Sequence, residues 1–295
     1  MPPLNRTAGI VLVGGRSSRM GSAKSVLEWH GSTLVRRVTG IVARGVAGPV
    51  VLVRSRGQSL PSLPEVFEVI DDEEEGRGPL AALGTGLAAL VGRCESVYVS
   101  STDVPFLHPS FIRRVVGGLG DRVDACVPVV RGFRQPLAAA YRVALAPLVR
   151  KLLDSDRLRV SELLEACRTS ELGEQALLSD PELAAFDPGL ESVTNLNDPG
   201  QYRAAALRPL PAVRVEWPER ALPALGTAPG AALRAGSVRR ASVRAATLGG
   251  LASAVEVELG SRLVALLNGV EIRQDPGEPL VQGDAVSFVS ADAGP

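Results

Sequence analysis

The sequence predicts an α/β protein with a mostly parallel sheet, followed by a smaller α+β unit. Three observations carry this. Short β-branched runs alternate with segments of helical spacing through the first hundred residues, the pattern of a parallel sheet with helices on both faces. The first run, residues 8–13, passes directly into a glycine-rich turn. Composition then shifts at Leu207-Arg208-Pro209-Leu210-Pro211, and a new strand pattern begins after it. The domains expected are therefore 1–207 and 213–295, joined by a linker at 208–212. A length of 295 residues accommodates two domains.

The elements follow in order. Residues 8–13 form a buried strand. Residues 32–46 form a helix, with Leu34, Val38, Ile41 and Val42 on one side. Pro49 to Val53 is a second strand and Glu68 to Ile70 a third. Pro79 to Val91 is a helix whose first residue is a proline, where no N–H is needed. Ser96 to Ser100 is a strand, and residues 110–118 a helix. Ala125 to Val130 and Pro136 to Arg142 flank Arg131-Gly132-Phe133 as a hairpin. Residues 143–154 and 160–167 are helical. In the second unit, Val213 to Trp217 is a strand and Leu248 to Glu258 a helix. Leu263 to Val270 is a strand entering a turn, and Leu280 to Val289 a turn followed by a last strand.

Composition narrows the function. The chain is 45% hydrophobic and 22% charged with zero net charge, normal for a globular protein and contrary to non-specific nucleic-acid binding. The apolar runs are too short to span a membrane. The N-terminus lacks a signal-peptide pattern, so a cytoplasmic protein is expected. Cys94, Cys126 and Cys167 are odd in number and widely spaced, which favours reduced thiols. His30 and His108 are the only histidines, too few for an ordinary zinc site. A Ser-His-Asp hydrolase is poorly supported, because no Gly-x-Ser-x-Gly elbow accompanies His108.

Ligands of parallel sheets bind beyond the carboxyl ends of the strands. The loops after Val13, Ile70 and Ser100 should therefore meet in one crevice. The first reads Gly14-Gly15-Arg16-Ser17-Ser18-Arg19-Met20-Gly21-Ser22-Ala23-Lys24. Successive N–H groups of such a loop form an anion-binding nest, and Arg16, Arg19 and Lys24 surround it with positive charge. The chain has two lysines, Lys24 and Lys151, against 30 arginines. Lysine stands here, where a compact charge on a flexible stem suits one phosphate group. The loop is not a Walker A loop, since Gly21 lies three residues before Lys24. It is not Gly-x-Gly-x-x-Gly either.

The pattern Leu-x-Gly-Gly-x-Ser-x-Arg-Met-Gly-x-x-Lys resembles the signature loop of nucleotidyltransferases with a glycosyltransferase-A-like, Rossmann-related fold. Within these it is most similar to the molybdenum cofactor guanylyltransferases, the MobA family. Other segments follow in family order. Asp103, in Thr102-Asp103-Val104-Pro105-Phe106, resembles the Asp-x-Pro-Phe motif. Asp71 stands seven residues before Gly78-Pro79-Leu80. Arg134-Gln135-Pro136-Leu137 resembles the stretch lining the pterin side of the cleft, and Asn195-Leu196-Asn197-Asp198-Pro199 the late Asn-x-Asn-x-Pro segment. Asp72 to Glu75 read as a solvated loop. One departure stands out: the family often has asparagine after the second strand, where this chain has Val53-Arg54-Ser55.

The resemblance implies transfer of GMP from GTP to molybdopterin, or Mo-molybdopterin, with release of pyrophosphate. It implies nucleotide contacts from Leu12, Val13, Gly14, Gly15, Lys24, Asp71, Gly78 and Asp103. It places Arg134, Gln135, Pro136, Asn195 and Asn197 at the molybdopterin, and makes Arg19, Lys24 and Asp103 the catalytic set. Asp103 would hold Mg2+, a hard cation that keeps several waters. The cytidylyltransferase relatives are the alternative, although their loop tends to read Leu-Ala-Ala-Gly. A non-catalytic scaffold in cofactor assembly is a third reading, opposed by the presence of Lys24, Asp71 and Asp103.

Residues 213–295 resemble the ubiquitin-like β-grasp sulfur carriers of the MoaD/ThiS type, on Leu267-Asn268-Gly269 and Pro279-Leu280-Val281-Gln282-Gly283-Asp284-Ala285-Val286. Carriers end in Gly-Gly, whereas this sequence ends Asp292-Ala293-Gly294-Pro295. A docking role toward other cofactor-assembly proteins, rather than sulfur carriage, is expected. Arg234, Arg239, Arg240 and Arg244 read as a solvated face, with a docking patch as the alternative.

Overall fold

The computed structural model describes residues 7–14, 26–74, 76–218, 238–260 and 263–290. The chain divides into two compact units, Met1–Trp29 with Thr33–Ala206, and Leu207–Pro295 with His30–Ser32.

The first unit begins with β1 (Thr7–Leu12), α1 (Leu34–Gly45), β2 (Val50–Arg54), β3 (Glu68–Asp71), α2 (Pro79–Ala89), β4 (Ser96–Ser101) and α3 (Pro109–Gly117). It continues with β5 (Ala125–Val130), β6 (Phe133–Arg134), β7 (Ala138–Arg142), α4 (Ala146–Asp154), α5 (Val160–Ala166), β8 (Thr169–Gly173), α6 (Glu174–Leu177), α7 (Pro181–Phe186) and α8 (Pro199–Ala206). Among the described residues, these strands make one eight-stranded sheet in the order β3-β2-β1-β4-β7-β5, with β6 and β8 both paired to β5. Strands β1 to β4 are mutually parallel, β5 and β8 run the same way, and β6 and β7 run against them.

Alternation along the strands feeds two helical layers. Ala8, Ile10 and Leu12 of β1, with Val51, Val53, Val97 and Val99, join Leu80, Leu83 and Leu87 of α2 and Val149, Leu152 and Leu153 of α4 in one buried core. Each fully buried leucine contributes about 1.5–3 kcal/mol by leaving water. On the opposite face, Val42 of α1 lies on Gly9, and α1 and α3 pack together. Helix α1 starts where Thr33 caps it, its hydroxyl accepting from the Arg36 N–H.

Several boundaries differ from expectation. Helix α2 stops at Ala89, and Val91 beyond it is exposed. Residues 143–145 form a 3-10 turn, and α4 starts only at Ala146, with a proline in its first turn. The hairpin forms across Arg131 (φ 54°) and Gly132 (φ 79°), but its return arm is interrupted. Val129 pairs with Arg134, yet Cys126 pairs with Ala140, so Gln135 to Leu137 bulge out of the ladder. The elements β8, α6, α7 and α8 were not foreseen. Helix α8 starts in what reads as an ordinary Asn-Asp-Pro turn, because the Asp198 carboxylate accepts from the N–H groups of Gly200 and Gln201.

The acidic run is not a solvated loop throughout. Asp72 is buried and accepts from the Glu74 amide at 3.1 Å. Glu74 pairs with Arg77 and, at 2.7 Å, with Arg150, and Arg77 also donates to the Leu153 carbonyl. Two guanidiniums thus tie the run to α4, a contact invisible in a local reading of charge. Glu75 lies outside the described residues.

The second unit contains β9 (Ala212–Pro218), β10 (Val238–Arg244), α9 (Leu248–Ala254), β11 (Leu263–Leu267), β12 (Val270–Ile272) and β13 (Ala285–Ser290). Among the described residues its sheet is mixed, in the order β10-β9-β13-β11-β12, with β9 and β13 parallel and the other pairs antiparallel. Val213, Val215, Leu248, Leu251, Ala265, Leu267, Val286 and Phe288 fill its core. Helix α9 is shorter than expected and stops before Glu256, which has a φ of 55°. Asn268 and Gly269 turn β11 into β12 with positive φ at both. The Asn268 amide donates to Asp284 at 2.9 Å and its carbonyl accepts from Ala285. Strand β10 has no signal in the sequence, because it is almost wholly exposed and carries no apolar alternation, and Ala212, expected in the linker, already belongs to β9. Arg239, Arg240 and Arg244 are exposed on β10. Arg240 pairs with Glu216 at 2.6 Å, and Arg244 donates to the Leu210 carbonyl. Arg234 and residues 291–295 lie outside the described residues.

Candidate functional site

Strand β1 lies between β2 and β4, and the chain turns back across it after β3. The boundary between β1 and β4 is therefore the switch point of the sheet, where ligands of open parallel sheets bind. Leu12 pairs with Val53 on one side and Ser101 on the other, and Arg54 pairs with Asp71. Gly14, the end of β2, Asp71 and Asp103 consequently line one edge.

Leu12 and Val13 are buried. The Val13 N–H donates to the Val53 carbonyl at 2.8 Å, so the pairing of β1 with β2 continues past Leu12 to the edge of the turn. Gly14 runs so close to β2 that a Cβ there would stand 3.1 Å from the Ser55 hydroxyl oxygen. The glycine keeps the first turn flat against its neighbour. Gly15, Arg16, Arg19 and Lys24 lie outside the described residues.

Asp103 follows β4, and its Oδ1 accepts from the Ser101 hydroxyl at 2.6 Å. Three further contacts fix its segment. The Leu196 N–H donates to the Asp103 carbonyl at 2.9 Å. The buried Arg37 of α1 donates through Nε to the Pro105 carbonyl at 2.6 Å. Phe106 meets the edge of Trp29, with ring centroids 5.7 Å apart, and Trp29 meets Tyr202 of α8 at 6.1 Å. Arg37 was missed in the sequence, where it reads as one polar position on an amphipathic helix. Its burial is the signal, and that is visible only in the fold.

His108 closes this segment as the cap of α3, its Nδ1 within 2.6 Å of the Ser110 hydroxyl. Its N–H donates to Ser192, whose own N–H donates to the buried Asp187 carboxylate. Burial pushes the Asp187 carboxyl up, opposed by the N–H donors of Ser192 and Glu191. That relay holds the turn leading to Asn195 and Asn197, which are themselves exposed.

Asp71 is half-exposed and pairs with Arg54, Nε to Oδ1, at 2.7 Å. Gly78, with a φ of 86°, precedes Pro79 at the mouth of α2, a backbone conformation that side chains disfavour. Asp71 and Asp103 are separated by three strand spacings, about 14 Å. On the other side of β4, Ala138 pairs with Ser100, which sets the Gln135–Leu137 bulge beside the Asp103 segment. The Gln135 N–H donates to Pro128 and the Pro136 carbonyl accepts from the Tyr141 hydroxyl at 2.7 Å. Arg134, at the base of the hairpin tip, pairs with Glu171.

Among the described residues no group of three His, Cys, Asp or Glu side chains could hold a metal. A single carboxylate at the switch point fits Mg2+ in its usual substrate-borne form, where phosphates and waters supply most oxygens. No helix among the described residues is long and apolar enough to cross a membrane.

The sheet that sets Gly14, Asp103 and the bulged hairpin around its switch point is that of an α/β nucleotidyltransferase. The chain belongs to the MobA-like NTP transferase family, whose domain model matches residues 9–171. A probable molybdenum cofactor guanylyltransferase of Bacillus cytotoxicus is 31% identical over 168 residues, 56% of this chain and 82% of that protein. The Bacillus cereus protein of the same description is 27% identical over the same shares. Molybdopterin-guanine dinucleotide biosynthesis protein A from Archaeoglobus fulgidus shares the fold, with a TM-score of 0.53 and 23% identity, over 68% of this chain and 96% of that one.

Proposed function

We propose that this enzyme transfers GMP from GTP to molybdopterin, or its molybdenum complex, and releases pyrophosphate. The observation that carries the reading is the single row of candidate groups along the strand ends. Gly14 and Asp103 flank the switch point, Asp71 lies on one side, and the Gln135–Leu137 bulge and the Asn195–Asn197 segment lie on the other. A phosphate centre between two arms suits a reaction that joins a nucleotide to a second, phosphate-bearing molecule. The names of the Bacillus relatives support the same substrates.

In the reaction, a terminal phosphate oxygen of molybdopterin attacks the α-phosphorus of GTP in line. A new P–O bond forms, the bond between the α-phosphorus and its bridging oxygen breaks, and pyrophosphate carries the electron pair away. The attacking oxygen is already anionic, so no strong base is required. Catalysis is then positioning and charge stabilisation. Asp103 would hold Mg2+, which when bound neutralises phosphate charge, while Arg19, Lys24 and the nest at Gly14-Gly15 hold the triphosphate. Asp71 and the Gly78 turn take the nucleoside. Gln135, Pro136, Asn195 and Asn197 take the pterin, with Arg134 at the hairpin beyond.

The smaller unit, residues 213–295 after the linker 208–212, is read as a β-grasp domain. The support is its strand order among the described residues, with first and last strands parallel at the centre and one helix after the second strand. Its proposed role is docking to other cofactor-assembly proteins, which raises their effective concentration near the transferase without altering the cleft. Isothermal titration of the enzyme with GTP and with CTP, each with Mg2+, tests the nucleotide assignment. Tighter GTP binding is expected; tighter CTP binding moves the enzyme to the cytidylyltransferase branch.

A further inference from the structure

Arg54, the last residue of β2, belongs to a hydrogen-bonded set at the strand ends. Arg54 and Asp71 are register partners at the last paired position of β2 and β3, so their side chains leave the sheet on the same face. The guanidinium Nε donates to Asp71 Oδ1 at 2.7 Å, and Nη1 donates to the Gln58 carbonyl at 3.0 Å. Gln58 is in turn fastened to the strand ends: its Oε1 accepts from the Ser55 N–H at 3.2 Å, and its Nε2 approaches the Val13 carbonyl at 3.4 Å. The Asp72 N–H donates to the Arg54 carbonyl at 2.7 Å. The ends of β1, β2 and β3 are thereby joined through one guanidinium and one side-chain amide.

We infer that Arg54 is a positioning residue for the nucleoside: it fixes the Asp71 carboxylate in one orientation, with Oδ1 engaged and the remaining acceptor capacity left for the N–H or O–H donors of the nucleotide. The inference rests on the reading of Asp71 as a nucleoside contact. An unbraced aspartate at a strand end would sample several rotamers and lose that freedom on binding. An aspartate already held by a fork-shaped guanidinium loses less, because the planar group is pre-organised. A pair this exposed contributes little to folding, so its removal should be felt in nucleotide binding and not in stability.

The test is a double-mutant cycle on the full chain, with Arg54→Met, Asp71→Asn and the double variant, read as KM for GTP, KM for molybdopterin, kcat and thermal midpoint. Arg54→Met should raise KM for GTP about fivefold, leaving kcat, the other KM and the midpoint near wild type. In the Asp71→Asn background the same change should have no further effect, since coupled residues are non-additive. Arg54→Lys should recover part of the loss, as it keeps the charge but not the second donor. Additive effects, or an unchanged KM for GTP in Arg54→Met while Asp71→Asn raises it, would overturn the inference alone. No change in Asp71→Asn would overturn the nucleoside reading of Asp71 as well. If Arg54→Met melts early, Arg54→Gln replaces it in the cycle.

Discussion

The amide of Leu196 donates to the carbonyl oxygen of Asp103 at 2.9 Å. That bond makes one unit of two segments far apart in the chain, the aspartate after β4 and the late asparagine segment. Leu196 is buried with Trp29, Leu34 and Ala205, so the side chain of the same residue anchors the contact that its amide makes. Asp103 is therefore set from the backbone side by the segment that is read as meeting the second substrate.

Asp103→Asn should abolish turnover while leaving the fold intact. Loss of the charge proposed to hold Mg2+ should lower the rate on the order of a thousandfold. Pyrophosphate release at saturating Mg2+ reads the effect, with circular dichroism as the control. Turnover like the wild type would remove Asp103 from the mechanism.

Arg37→Met should weaken the enzyme at a distance. The change leaves the buried Pro105 carbonyl without the Nε donor, at about 1–3 kcal/mol. The expected results are a lower thermal midpoint and a higher Mg2+ concentration for half-maximal rate. Loss of stability with an unchanged Mg2+ response would reduce Arg37 to a purely structural role.

Tyr98→Phe should stabilise the protein. Tyr98 is fully buried in β4, its hydroxyl has no hydrogen-bond partner among the described residues, and burial pushes its pKa up. Removing an orphaned hydroxyl without changing the ring should add about 1 kcal/mol. Denaturant unfolding is the measurement, and a decrease in stability would mean that the hydroxyl is satisfied in solution.

Asp124 should matter in acid. Arg168 approaches its two oxygens at 2.9 and 2.7 Å, and this hydrogen-bonded guanidinium holds the carboxyl below its ordinary value of 3.8. A carboxyl lowered on folding contributes its stability above the unfolded value and loses it as pH falls through the folded one. Thermal midpoints of wild type and Asp124→Asn should therefore differ at pH 6, and the gap should begin to close as pH falls below about 3.8 and vanish as it passes the folded value. A constant gap down to pH 2.5 would assign the effect to packing.

The strands β1 to β5 and β7, and helices α1 to α5, were legible in sequence because each carries an apolar run or period of its own. The short elements β8, α6 and α7 were not, since they are held by neighbours rather than by their own pattern. Asp71 and Asp103 could be picked out as strand-end carboxylates in motif spacing. Arg37 and the Arg54–Gln58 brace could not, because their significance lies in which backbone they reach across the fold. Asp72 was misjudged for a related reason: one acidic run contains both an exposed and a buried carboxylate, and charge alone does not separate them.

Guanylyl transfer to molybdopterin can be measured by offering GTP, CTP and ATP separately with molybdopterin or its molybdate complex, and following pyrophosphate together with the mass of the product. GTP should yield pyrophosphate and a guanine dinucleotide of the pterin, with little product from CTP or ATP. Preferred turnover of CTP, or no pterin-dependent pyrophosphate from any of the three, would rule out guanylyl transfer.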